Sequence, residues 1–443
     1  MPDYNRIATI DNLMERAVSN NLIAGGVVVI GNHAGILSST ARGRINARPD
    51  APLLDEKTIF DLASLTKVIA TAPAVMKLLD EGRISLQDPV TRWFPEFKGS
   101  ERENATILNL LTHTSGLADF EISSEQSMKT AIHRAAAEKN RQLPGSSFNY
   151  ADINFILLGE LVHRVSGKTL DVFCREEIFA PLDTPATLFL PALNIADRIA
   201  PTLGINSGTV QDRNSRRLGS VAGHAGLFSS AQDLARFARM MLDGGEIDGN
   251  RILSEQSVKQ MTTPVSCRNG AVLRGLGWDV YSPYSAPKGR LFSESSFGHT
   301  GYSGSSIWID PKKDLFVVLL TNRMDYRNVR MFNQLRSDIS TIAVAKFLKP
   351  EDNQVLATIS EVARITADLQ RETDPRISIT SRNGRLIASV SAEHYKMHHH
   401  HRKNSDNRLV ASVSEERYKV HHHFRKNRGK NHRHNAYVRI RRA

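Results

Sequence analysis

The chain has 443 residues, 40% hydrophobic and 23% charged with a net charge of +12, which suits a globular protein of two or three domains. No apolar run approaches the roughly 18 residues of a membrane span, and the N-terminus lacks the basic-then-apolar pattern of a secretory signal. Two cysteines, Cys174 and Cys267, are too few for a disulfide framework; they read as buried thiols or one bridge, the thiols favoured in the cytoplasmic setting expected.

Residues 7–22 place Ile7, Ile10, Leu13, Met14, Ala17 and Val18 at helical spacing and predict an amphipathic helix. Residues 25–30 and 36–41 read as strands joined by the turn Gly31-Asn32-His33-Ala34-Gly35. Thr58-Ile59-Phe60-Asp61-Leu62-Ala63 is an extended lead-in. The run from Lys67 to Met76 then reads as a buried helix with a lysine inside it. Residues 76–210 are mostly helical in pattern, with helices expected at 107–111, 128–140, 154–165 and 170–178. Strand patterns return at 277–281, 295–300, 305–310 and 315–321, followed by a helix over 331–348. Sheet material at both ends with helices between predicts an α/β (α+β) fold. One sheet domain would be built from residues 1–75 and 211–349, with an all-helical domain, 76–210, inserted. Trp93, Trp278 and Trp308 are expected as core or pocket-wall aromatics, and His113 and His224 as structural residues held by hydrogen bonds.

Residues 350–443 form a separate region, with a short helix expected over 355–369. Residues 376–443 hold 17 Lys and Arg against 4 Asp and Glu, or +13, which leaves 12 − 13 = −1 for residues 1–375. The basicity therefore belongs to this tail. A direct repeat runs through it: Leu386-Ile387-Ala388-Ser389-Val390-Ser391 returns as Leu409-Val410-Ala411-Ser412-Val413-Ser414. The histidines at 398–400 return at 421–423. Two units are too few for a solenoid. Such composition suggests a largely disordered appendage able to touch nucleic acid or another polyanion. Runs of histidine without fixed neighbours suggest only adventitious metal binding, so no metal site is expected.

Ser64-Leu65-Thr66-Lys67 stands out in the first half. A serine and a lysine three apart on a helix share one face. A lysine desolvated among apolar residues can be neutral enough to take the serine proton. The second copy of this spacing, Ser285-Ala286-Pro287-Lys288, lies among prolines and reads as a loop coincidence. Two further stretches offer partners. Tyr150-Ala151-Asp152 sits where a loop meets an apolar helix, and Asp152 also suits the helix cap. His299-Thr300-Gly301 sits at a strand edge, where glycines let a ligand lie against the backbone.

Taken in that order, Ser64-x-x-Lys67, Tyr150-x-Asp152 and His299-Thr300-Gly301 resemble the motifs of the serine β-lactamase and penicillin-recognising superfamily. The class C-like branch is the nearest, which includes D-alanyl-D-alanine peptidases and family VIII-type esterases. The resemblance spans about residues 7–348 and implies a β-lactamase/transpeptidase-like fold and a hydrolase that needs no cofactor. Its substrate would be a small ester or peptide-like amide. It implies that Ser64 is acylated, that Lys67 and Tyr150 share acid and base work, and that the N–H groups of Ser64 and Tyr302 form the oxyanion hole. Asp152, His299, Thr300 and Gly301 would line the substrate site. Two departures stand against an efficient β-lactamase: aspartate at 152, where many members have asparagine, and histidine at 299 in place of lysine. The rival expectation is a catalytically poor protein that binds peptidoglycan fragments, or polyanions through its tail.

Overall fold

The computed structural model describes residues 9–123, 127–139, 142–266, 272–347, 355–373, 377–382, 385–390, 409–415, 418–426 and 434–442. The chain divides into a unit formed by Ile10–Val344 and a second formed by Met1–Thr9 with Ala345–Ala443.

In the first unit, helix α1 (Ile10–Ser19) buries the stripe Ile10, Leu13, Met14 and Ala17, as its helical spacing requires. Strands β1 (Ile23–Asn32) and β2 (Gly35–Gly43) follow as a hairpin. Six more strands come from the far end of the unit: β3 (Val265–Ser266), β4 (Leu273–Arg274), β5 (Asp279–Tyr281), β6 (Phe297–Thr300), β7 (Ser306–Asp310) and β8 (Leu315–Arg323). Together they form one eight-stranded antiparallel sheet, ordered β2-β1-β8-β7-β6-β5-β4-β3. Strands from the two ends of the unit therefore pair one strand in from the β2 edge, where Val27 pairs with Leu320 and Val29 with Val318. Every residue of β8 is buried, so both faces of this strand are covered.

Helices occupy the middle of the chain. They include α2 (Ala72–Asp80) and α3 (Asp152–Ser166), with shorter ones at Ile107–Leu111, Met128–Ala137 and Leu170–Cys174. Two further helices, α4 (Ala231–Leu242) and Glu255–Thr262, lie in a stretch to which the sequence pattern assigned no element. The signal for α4 was present: Ser230 caps it by accepting the Asp233 N–H, and Leu234, Phe237, Ala238 and Met241 repeat at helical spacing. These side chains share a core with Val27, Val29, Val318 and Leu320. Each such burial is worth about 1.5–3 kcal/mol. Helix α5 (Val329–Lys346) ends the unit. Trp278 and Trp308 are core residues, as expected, while Trp93 is only partly buried. Cys174 is a buried free thiol; Cys267 lies outside the described residues.

The second unit contains a helix, Val355–Thr373, longer than the sequence suggested. Regular structure continues where a disordered appendage was expected. Ile377–Arg382 pairs antiparallel with Arg385–Val390. Leu409–Glu415, Tyr418–Lys426 and His434–Arg442 form a three-stranded antiparallel sheet. The β-branched runs of the repeat supply a strand in each copy, but with different partners: the first pairs with the strand before it, the second with the strand after it. His421, His422 and His423 lie on a strand, whereas the cluster at 398–401 lies outside the described residues. Among the described residues, no helix is long and apolar enough to cross a membrane.

Candidate active site

Ser64 is presented by an abrupt change of backbone. The short strand Ile59–Asp61 leads to Ala63, whose φ of 46° lies in the left-handed region that non-glycine residues avoid. A 3-10 turn, Ala63–Leu65, and a π-helical turn, Lys67–Thr71, then run into α2. Strain of this kind persists only when the surroundings impose it. Here they do. Asp61 accepts the N–H of Ala63 at 2.8 Å and that of Gln211 at 2.6 Å. The hydroxyls of Ser303 and Ser305 donate to the carbonyls of Asp61 and Leu62 at 2.6 and 2.9 Å. Burial pushes the Asp61 carboxyl up to about 6 against these donors.

The wide turn leaves Lys67 on the same side as Ser64, with Nζ donating to Ser64 Oγ at 3.0 Å. The same ammonium donates to the His224 carbonyl at 3.2 Å and lies 2.7 Å from Asp152 Oδ1. Lys67 is completely buried. Burial alone would strip its charge. The Asp152 carboxylate and the Tyr150 phenol outweigh that and hold its pKa above the ordinary lysine value. The expectation of a neutral resting amine is thus corrected: Lys67 rests as an ammonium in an ion pair. For Asp152, burial pushes the carboxyl up, but Lys67 and His224 carry it below the usual range. Asp152 is not the cap of α3. That position belongs to Ala151, and Asp152 turns its carboxylate to Lys67 instead.

Tyr150 completes the trio. Its ring centroid lies 5.1 Å from Lys67 Nζ, close enough for the phenol to help hold the ammonium charged. The ring stacks on His113 with centroids 4.5 Å apart. His113 is buried, and its Nδ1 accepts the Ala151 N–H at 3.2 Å, so this imidazole fixes both the phenol and the backbone beside it. Burial and the charges of Arg274 and Lys67 keep His113 well below the usual imidazole range, hence neutral. Ser115 is bonded to Asn154, whose Nδ2 donates to the Ala151 carbonyl at 3.1 Å. The expectation of a structural His113 falls short of its contact with the catalytic candidate.

β6 brings the third motif to the same cleft. The His299 ring lies 6.0 Å from that of Tyr150. Gly301 and Gly298 answer to packing inside the protein. A Cβ on Gly301 would strike the Leu62 carbonyl and Ser305 Oγ, and one on Gly298 would strike the Trp308 ring. The turn after Gly301 is pinned from behind by Arg336 of α5, which donates to the carbonyls of Gly301 and Ser305 at 2.6 and 2.8 Å. Tyr302 follows in that turn, and its exposed ring stacks on Tyr326. Its N–H meets no acceptor among the described residues, nor does a 3-10 turn supply one for the N–H of Ser64. Thr300 is half-buried beside it.

A second layer was not anticipated. Asp212 caps the turn Arg213–Arg217 through the Ser215 N–H, and its Oδ1 lies 2.9 Å from His224 Nε2. The spacing of Asp212 and Ser215, typical of a helix start, was the available signal. His224, expected to be structural, also offers its carbonyl to Lys67. One donor atom each from Asp152, Asp212 and His224 lie within 4.8 Å of one another, spacing a cation could use. The Lys67 ammonium already supplies positive charge there. Ser285 and Lys288 bond elsewhere, to Asp279 and to the Val280 carbonyl, so the second Ser-x-x-Lys is no pair.

Residues 9–337 match the beta-lactamase family model. A relative from Escherichia coli K12, named provisionally as a D-alanyl-D-alanine carboxypeptidase, is 29% identical over 303 residues, covering 60% of this chain and 69% of its own. The N-acetylmuramyl-L-alanine amidase of Bacillus subtilis 168 is 26% identical over 369 residues, covering 72% of this chain and 81% of its own. Among solved structures, a class C beta-lactamase from Rhodobacter sphaeroides has the same fold. It matches with a TM-score of 0.64 at 19% identity, over 77% of this chain and 99% of that one.

Proposed function

The chain belongs to the beta-lactamase family, and from that we propose that it is a serine hydrolase that forms an acyl-enzyme on Ser64 with small esters or peptide-like amides. The observation that carries the reading is the buried line Ser64 Oγ, Lys67 Nζ, Asp152 Oδ1, with contacts of 3.0 and 2.7 Å. The names of the curated relatives favour amide substrates of the peptidoglycan type.

An ammonium cannot accept a proton, so acylation needs one first to leave Lys67. That proton goes to bulk water, against the pull of the Asp152 carboxylate, which itself stays ionised. The amine then takes the Ser64 proton as Oγ attacks the carbonyl carbon. The carbonyl π electrons move to oxygen, where the N–H groups of Ser64 and Tyr302 stabilise the negative charge. When the tetrahedral species collapses, the bond to the leaving group breaks. Tyr150, whose ring lies 5.1 Å from Lys67 Nζ, passes a proton to that group and is reprotonated by the Lys67 ammonium. Water then repeats the sequence on the acyl-enzyme, and Ser64 regains its proton. No cofactor enters this scheme.

The test is an activity panel of short-chain p-nitrophenyl esters, nitrocefin and D-amino-acid peptides, with a fluorophosphonate adduct mapped by mass spectrometry. Ser64→Ala is expected to lower turnover about a thousandfold or more and to abolish the adduct. Full ester hydrolysis by that variant, or an adduct on another residue, would refute the assignment.

A further inference from the structure

Three acceptors lie within 3.2 Å of Lys67 Nζ: Ser64 Oγ at 3.0 Å, the His224 carbonyl at 3.2 Å and Asp152 Oδ1 at 2.7 Å. An ammonium has three N–H donors, one for each. Once the proton facing Ser64 has left, the other two stay on the His224 carbonyl and on Asp152. The lone pair then points at the serine hydroxyl, which is the orientation a base needs. The amine turns about a single bond. Without the His224 carbonyl, its lone pair is free to rotate away from Ser64.

A main-chain carbonyl has no rotamer of its own, so its aim is set by whatever holds the backbone. His224 stands with Gly223 in a two-residue turn between the bridged residues Ala222 and Ala225. The turn Arg213–Arg217 grips it from outside. The His224 side chain is 1% exposed, and its Nε2 lies 2.9 Å from Asp212 Oδ1. The Asp212 carboxylate only accepts, so Nε2 carries a proton; the protonation is assigned from that partner. Asp212 is fixed in turn by the Ser215 N–H at 2.7 Å, and the Ser215 hydroxyl donates to the Ala225 carbonyl at 2.8 Å. A ring that merely filled this space would be better apolar, because an imidazole must shed its hydration to be buried.

We propose that Asp212 is a positioning residue for Lys67: by gripping the His224 imidazole it fixes the turn so that the His224 carbonyl holds one lysine N–H and leaves the lone pair on Ser64. This rests on the hydrolase reading above and adds to it a pair of side chains outside the three motifs. Among the described residues, Asp212 makes no hydrogen bond to Ser64 or Lys67, so its effect passes through His224.

The experiment uses the full chain below each variant's unfolding transition. It reads kcat and KM on a p-nitrophenyl ester, and independently the rate of Ser64 labelling by a fluorophosphonate. Asp212→Ala removes the acceptor. It is expected to lower kcat and the labelling rate about tenfold to a hundredfold, with KM within about twofold. His224→Phe keeps the volume and drops the bond. It is expected to do the same, and it gives the answer should Asp212→Ala not fold. Asp212→Asn keeps an oxygen for both N–H groups and loses the charge, so it is expected to hold kcat within about threefold of wild type. Unchanged kcat in folded Asp212→Ala or His224→Phe overturns the proposal. So does an Asp212→Asn as slow as Asp212→Ala, which would trace the effect to charge instead of placement. In either case labelling of wild-type Ser64 leaves the hydrolase reading standing, whereas absence of that labelling overturns both.

Discussion

At Lys67 two large effects compete. Burial favours the neutral amine, and the Asp152 carboxylate 2.7 Å away favours the ammonium and wins. Asp152→Asn removes the winner. Lys67 should then titrate lower, and kcat/KM should rise with pH through the alkaline range, where the wild-type lysine does not titrate. Superimposable pH profiles would show that Asp152 does not set the charge. Asp212 gives a second prediction at this scale. Burial raises its carboxyl, but His224 and the Ser215 N–H bring it down to about 2 from 3.8. A folded-state pKa below the unfolded one means stability that is present above 3.8 and lost as pH falls toward 2. Asp212→Asn should therefore cost about 2 kcal/mol at neutral pH, with the difference fading below about pH 3 in urea unfolding. The sequence displayed Ser64, Lys67 and Tyr150 because residue type and local pattern suffice to find them. It hid the charge on Lys67, which depends on a partner brought near only by the fold.

Among the elements, α3 and the loop around Gly223 meet at unusually short range. Gly159 of α3 lies against Gly223, and a Cβ on Gly223 would overlap the Phe155 carbonyl. This approach lets the Gly223 carbonyl accept the Thr71 hydroxyl at 2.6 Å and the His224 carbonyl accept Lys67 at 3.2 Å. Gly223→Ala should separate α3 from the loop, lower stability by about 1–3 kcal/mol or more, and reduce turnover in excess of the stability loss. Equal melting temperatures in a thermal scan would disprove the close fit. Element patterns were readable wherever one period dominated. α1, β1, β2 and β8 all emerge from apolar spacing. α4 carries both a cap and an apolar stripe, yet alanine and arginine positions interrupt the stripe and blur its period. The unusual turn after Ser64 had no local signature: alanine at a left-handed φ is imposed by Asp61 and by the serines of a distant strand turn.

For the whole molecule, charge and catalysis belong to different parts of the chain. Residues 1–375 sum to −1 and 376–443 to +13. A version ending at residue 347 should keep ester turnover within about twofold and lose salt-dependent retention on heparin, since clustered cations give polyanion binding its salt dependence. Retention unchanged by truncation would place that binding elsewhere. The strands within the tail were legible only as β-branched runs, because the pairing partners differ between the two copies of the repeat.

The pairing of β1 with β8, from opposite ends of the unit, has a temporal consequence. Residues near the start of the unit find their sheet neighbours only once residues 315–323 exist, and the carbonyls before Ser64 await Ser303 and Ser305. A growing polypeptide on the ribosome therefore carries Ser64 for most of translation without the scaffold that shapes its turn. The surroundings of Ser64 are thus completed late in synthesis, only after the strands on the far side of the sheet exist.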